Sequence, residues 1–166
     1  NLAREHFERV RSVENYYEAG KMLLCENYEK SSDDISVRLR KQLDIVAKVP
    51  EDWRDELTSK TDALLREWIG QVNFEQYNAA SIEEATSATS MLNSFESEID
   101  LLSQHPSMPV ELRDYLAQQR KKIESRKEYV WNQAVSVVMS EASGKNAEEA
   151  INILEKEEPA FLRLHL

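Results

Sequence analysis

The chain spells out the same corner twice. Ile45-Val46 leads to Pro50, then to Trp53-Arg54-Asp55 and Leu57. Leu101-Leu102 leads to Pro106 and Pro109, then to Leu112-Arg113-Asp114 and Leu116. Proline has no N–H to give an incoming helix and restricts the residue before it, yet it suits the start of an outgoing helix. Each stretch therefore reads as helix, proline corner, helix. A fainter third copy places Ile153-Leu154 ahead of Pro159 and Phe161-Leu162-Arg163. A supersecondary unit that returns after roughly 56 residues is the mark of a helical repeat array.

Between the corners the apolar residues fall at threes and fours, the spacing of a helix with one buried face. The first helix is expected over 2–29, with Ala3, Phe7, Val10, Val13, Tyr17, Leu24 and Tyr28 as its stripe. Gly20 lies on that stripe, where the missing side chain would let another helix approach closely. Asn27 to Ser32 reads as a turn, and Ser31-Ser32-Asp33-Asp34 as the cap of a second helix over 34–49 carrying Ile35, Leu39, Leu43 and Val46. A third helix, 51–77, shows Trp53, Leu57, Leu64, Trp68 and Val72 and should fade from Gly70 onward. Ser81-Ile82-Glu83-Glu84 is a capping-box pattern that opens a fourth over 82–104, with Ile82, Ala85, Ala88, Leu92, Phe95, Ile99 and Leu102. The fifth, 110–143, carries Leu112, Leu116, Ile123, Val130, Ala134 and Val137 and should stop at Gly144. Asn146 to Glu149 caps a sixth over 147–157, and a seventh begins at 160–166. No stretch alternates with period two. The expected fold is all-α: antiparallel helical hairpins packed as an elongated bundle or as tandem three-helix repeats, in two repeat regions, 1–104 and 105–166.

Composition narrows the function classes. A net charge of −10 argues against general nucleic-acid binding, which needs cations to displace counterions. No apolar run approaches the roughly 20 residues that span a bilayer. Cys25 is the sole cysteine, so it has no internal disulfide partner, and no basic neighbour in sequence activates it; it reads as a structural thiol. His6, His105 and His165 are preceded three residues earlier by Ala3, Leu102 and Leu162, so the Glu-x-x-His motif of a di-metal bundle is absent, as is any His-x-x-x-His pair. Glycines are too few and scattered for a phosphate loop. The acidic pairs Glu83-Glu84, Glu148-Glu149 and Glu157-Glu158 sit at helix starts or on polar faces. No cofactor or metal and no catalysis are expected.

Two features bear on partners. Trp53, Trp68 and Trp131 fall on or beside the stripes and read as core anchors, with an exposed docking groove as the alternative. Residues 110–130 hold six basic and four acidic side chains, a net positive segment in an acidic chain. Arg113, Arg120, Lys121, Lys122, Arg126 and Lys127 are its candidate partner-binding residues, for an acidic protein surface, actin or lipid headgroups. An ordinary solvated face is the other reading.

Part of the pattern resembles a spectrin-type repeat. Val13 to Leu24, with Gly20 ahead of Leu23-Leu24, then a polar turn, Ile35, Arg38-Leu39 and Leu43, is similar to the junction between that family's second and third helices. Trp68-Ile69 resembles the tryptophan pair of its first helix, and Ser81 to Ala85 through Leu92, Phe95-Glu96 and Ile99 its second. The likeness covers about half the chain. Pro50 and Pro106 depart from it, because they fall where the family's helices continue. The resemblance implies a cytoplasmic module of a cytoskeletal linker or scaffold of the spectrin, dystrophin, plakin or nesprin kind: a spacer and docking rod flanked by further helical repeats, with cytoskeletal or adaptor proteins as partners. The other expectation is a helical subunit or regulatory domain of a membrane-tethering or trafficking assembly.

Overall fold

The computed structural model of the chain describes residues 2–24 and 35–165, with side chains through 157. The fold is all-α. Its helices are α1 (Leu2–Leu23), α2 (Ile35–Val46), α3 (Glu51–Gln71), α4 (Ile82–Ser103), α5 (Val110–Ser143) and α6 (Ala147–His165), with one 3-10 turn at Phe74–Gln76; no strand occurs among the described residues. No described helix is long and apolar enough to cross a membrane. The expected stripe residue Tyr28, the cap at 31–34 and Cys25 lie outside the described residues.

Local chemistry sets most helix ends. Ser81 Oγ accepts from the Glu84 amide at 3.1 Å, while the Glu84 carboxylate accepts from the Ala80 amide at 2.7 Å, so the capping pair reaches one residue further back than the standard box. Asn146 Oδ1 accepts from the Glu149 amide at 2.9 Å and opens α6. α5 stops at Ser143, ahead of Gly144, whose φ is negative, so no left-handed cap closes it. α3 stops at Gln71, short of residue 77, and the Asn73 side chain then starts the 3-10 turn by accepting from the Glu75 amide at 3.1 Å.

Both proline corners form, with a revised register. α2 ends at Val46, Pro50 precedes α3 directly, and Trp53 N–H bonds the Pro50 carbonyl at 3.0 Å. α5 likewise starts directly after Pro109, and the Arg113 amide bonds the Pro109 carbonyl at 3.0 Å. Pro109, not Pro106, is therefore the counterpart of Pro50. In each copy a buried apolar residue precedes the proline, Val49 in one and Met108 in the other. In each, the arginine four residues after the proline turns back to a loop carbonyl: Arg54 Nε to Val49 O at 2.7 Å, Arg113 Nη2 to His105 O at 3.1 Å. The third copy does not form a corner. α6 runs through Pro159 without a break, so there is no separate helix at 160–166; a helix tolerates one missing N–H at the cost of one unpaired carbonyl.

The chain divides into two compact units, each discontinuous: Asn1–Val72 with Asp100–Tyr115, and Asn73–Ile99 with Leu116–Leu166. This departs from the consecutive division at 104/105. The reason lies in the first unit, where the two corners pack on each other. Ser107 and Pro109 close with Leu43, Val46, Thr58 and Thr61 around a gap of about 10 Å³. His105 Nε2 meets Asp44 at 2.9 Å, while its Nδ1 accepts from the Ser107 amide at 3.2 Å; the latter bond fixes the proton on Nε2. Arg66 stacks on Tyr115 at 4.4 Å.

The rest of the first unit is built on α2, which packs against both α1 and α3. Leu39, Gln42, Leu43 and Val46 of α2 are buried, with Leu57, Thr61, Leu65, Trp68 and Ile69 of α3. Leu65 rather than Leu64 is the fully buried leucine, because Thr61 occupies the stripe. Its hydroxyl donates to the Leu57 carbonyl at 2.6 Å, which removes most of the cost of burying it. Gly20 permits the expected close approach: a Cβ there would lie 3.2 Å from Gln42 Oε1 and 3.2 Å from Ile45 Cγ2.

In the second unit Ala79, Ile82, Ala85 and Ala88 pack on Val130, Ala134 and Val138, with Tyr77 and Ile153 against them. Val138 takes the core place expected of Val137. Side-chain partners run in opposite senses along α4 and α5: Ala79 N–H bonds Gln133, Lys127 bonds Asn93, and Arg120 bonds Glu96. Phe95, the least buried of the expected α4 stripe, leans on Phe74 of the 3-10 turn at 5.5 Å.

Candidate interaction site

The basic residues of α5 are mostly spent within the chain. Arg113 belongs to the first unit, half-buried, with one guanidinium nitrogen on the His105 carbonyl and its Nε buried without a partner among the described residues. The others belong to the second unit. Arg126 binds the 3-10 loop: Nε donates to Tyr77 O at 2.8 Å, Nη2 to the Glu75 carbonyl and to Asn78 Oδ1, and the guanidinium stacks on Tyr129 at 4.3 Å. Lys127 donates to Glu96 at 2.7 Å and to Asn93 at 3.0 Å, and Arg120 reaches Glu96 at 3.4 Å and Glu124 at 3.8 Å. Burial of Glu96, the largest single influence, pushes its carboxyl up; the bonds and charges of Lys127 and Arg120 together outweigh it and hold the pKa below its ordinary value. Lys121 and Lys122 are exposed and make no ion pair among the described residues. Of the six candidates, Arg113, Arg120, Arg126 and Lys127 are thus bonded within the chain, and Lys121 and Lys122 are the two without an ion pair among the described residues.

Two surfaces that the sequence reading gave to the interior are open. The first is α1. Leu2, Phe7 and Val10 are 83%, 66% and 41% exposed, Ala3 is exposed, and only from Gly20 to Leu23 does the helix bury residues fully. The periodicity is amphipathic, but no described residue covers its first half.

The second is a groove between α1 and α3, 470 Å³ in volume, lined by Glu14, Tyr17, Glu18, Asp52, Trp53 and Glu56. Trp53 is 36% exposed here, whereas Trp68 is buried and Trp131 half-buried; only Trp68 is the full core anchor expected of all three. The Tyr17 and Trp53 rings meet edge to face, centroids 5.3 Å apart at 62°. The Tyr17 hydroxyl donates to the Glu56 carboxylate, which also takes Lys60 at 2.9 Å. That hydroxyl bond raises the Tyr17 pKa, and the bonds from Tyr17 and then Lys60 lower that of Glu56. Glu18 pairs with Lys21 at 3.5 Å. Glu14 and Asp52 are exposed and make no ion pair among the described residues. A signal for the groove was in the sequence: Glu14-x-x-Tyr17-Glu18 and Asp52-Trp53-x-x-Glu56 each set acid, aromatic and acid within one helical turn.

No group of three or more His, Cys, Asp or Glu side chains able to hold a metal occurs among the described residues. Comparison with protein-family models, with curated proteins and with solved structures gave no match. The likeness to spectrin-type repeats therefore stands on the residues quoted for it alone.

Proposed function

We propose that the chain is a non-enzymatic helical protein-interaction module, a spacer and docking platform of antiparallel helical hairpins within a larger cytoplasmic linker or scaffold. The observation that carries this is the uncovered apolar stripe of α1. An amphipathic helix whose Phe7 and Val10 meet water leaves favourable burial unused, at about 25 cal/mol per Å² of apolar surface, and a partner helix would recover it. The opposite senses of the α4 and α5 contacts support the hairpin arrangement. Lys121 and Lys122 remain the proposed charged contacts of α5; reversing Arg113, Arg120, Arg126 or Lys127 would break internal bonds as well.

The same stripe also favours the second reading, a subunit of a helical assembly such as a membrane-tethering complex. The two readings differ in solution behaviour. A spacer should be monomeric, and an assembly subunit should self-associate through α1. The test is analytical ultracentrifugation of the chain beside F7E/V10E, with helix content followed by circular dichroism. Concentration-dependent association that the double variant abolishes, at unchanged helicity, makes α1 a partner surface and favours the assembly subunit. A monomer whose sedimentation and helicity are unaffected by both substitutions overturns the assembly subunit and favours the spacer, whose α1 stripe is then left for a partner other than this chain.

A further inference from the structure

The groove between α1 and α3 joins three properties. It is concave, it exposes an aromatic face, and it is rimmed by acids that are not all neutralised. Tyr17 and Trp53 meet edge to face, and Trp53 lines the groove while 36% exposed, so its indole is accessible there to a flat group. Glu14 on one helix and Asp52 on the other supply carboxylates without an ion pair among the described residues, while Glu18 and Glu56 are already engaged by Lys21 and Lys60. A cation over an indole face is attracted by the ring quadrupole, and indole is the strongest of the aromatic partners. A planar guanidinium does what an ammonium does not: it stacks on the ring and directs its N–H fork sideways to carboxylates.

We infer that this groove receives the arginine side chain of a basic segment on a partner protein, with its guanidinium on Trp53 and its N–H groups directed to Asp52 and Glu14. The inference deepens the interaction-module reading and rests on it, because it names what the module recognises. Charge complementarity selects the occupant. An acidic peptide is repelled by the rim, and an apolar helix would cover Glu14 and Asp52 without pairing them, which is unfavourable. The chain's net charge of −10 draws the same class of partner from a distance.

The test uses the whole chain, labelled with ¹⁵N, and three capped peptides of one length that alternate serine with arginine, lysine or citrulline. Citrulline keeps the shape of arginine and removes its charge. The indole N–H signals of Trp53, Trp68 and Trp131 are assigned by single Trp→Phe variants and followed during titration. The arginine peptide should shift the Trp53 signal saturably and leave Trp68 in place. Lysine should bind more weakly and citrulline should have no effect. E14Q/D52N should weaken the arginine peptide about fivefold, the size expected of exposed charge pairs. E148Q/E149Q, which removes as much charge at the start of α6, should leave affinity unchanged.

The inference is overturned if Trp53 does not move, if citrulline or lysine matches arginine, or if both double variants weaken binding alike, which is unspecific attraction of a polycation to an acidic chain. If the peptides fail, the groove assignment falls, while the interaction-module reading is decided separately by the sedimentation of the chain beside F7E/V10E, which does not involve the groove.

Discussion

Gln42 offers the sharpest test of how α1 and α2 are held together. Its side chain is fully buried, and neither Nε2 nor Oε1 has a hydrogen-bond partner among the described residues. It faces Gly20, where a Cβ would come within 3.2 Å of Oε1. A buried amide that loses water and gains no partner costs about 1–3 kcal/mol on the scale of mutational data. Methionine is unbranched but of nearly the same length and flexible, so Gln42→Met keeps most of the packing and removes the polar atoms; the residual mismatch of such a near volume-conserving swap is under about 1.5 kcal/mol. The expected net effect is a gain of about 1–2 kcal/mol, or about 2–8 °C in Tm for a chain of this size. Urea unfolding followed by circular dichroism measures it, and an unchanged m-value would show that the native and unfolded states are otherwise the same. A loss of about 1 kcal/mol or more at unchanged m would refute the reasoning, since the amide must then be satisfied, for instance by a buried water.

Gly20→Leu should lower stability by about 1–3 kcal/mol in the same urea assay, because Gln42 and Ile45 already stand at contact distance from the place of its Cβ; no loss would mean that the helices separate freely. Leu57→Ala, at a fully buried position clustered with Val46 and Val49, should cost about 2–5 kcal/mol, and a value under about 1 kcal/mol would remove that cluster from the core. Glu96→Gln should cost about 1–3 kcal/mol through its bonds to Lys127 and Arg120. The folded pKa of Glu96 lies below the ordinary 4.5, so its contribution is full above that pH and fades as pH falls through the folded value; the Gln variant should show a flatter stability curve there, and a parallel curve would contradict the pairing. Lys121→Glu with Lys122→Glu should change stability by no more than about 0.5 kcal/mol, which thermal melts can check.

Much of the fold was legible because its causes are local. Helical periodicity, the Ser81 and Asn146 caps and the stop before Gly144 need only neighbours within a turn or two. The α4 stripe was read in full for the same reason: Ile82, Ala85, Ala88, Leu92, Ile99 and Leu102 are all buried and Phe95 is half-buried. The site was less legible. A basic run on α5 is a local fact, but whether Arg126 meets a partner or the carbonyls of residues 75 and 77 depends on chain about fifty positions away. The acid–aromatic–acid turns of α1 and α3 were visible one at a time, and nothing in either shows that they face each other.

The sequence alone determined an all-α chain, where most of its helices start and the two proline corners, since backbone sterics and side-chain spacing act over a few residues. Tertiary structure decided the rest. It paired Pro50 with Pro109 rather than Pro106, because the residues before them, Val49 and Met108, are the ones that find burial. It drew 100–115 into the unit of the first corner, through His105 on Asp44 and Arg66 on Tyr115. It also left the start of α1 and the Trp53 face open. An amphipathic pattern states that a face is apolar; which faces are covered depends on where the other helices pack.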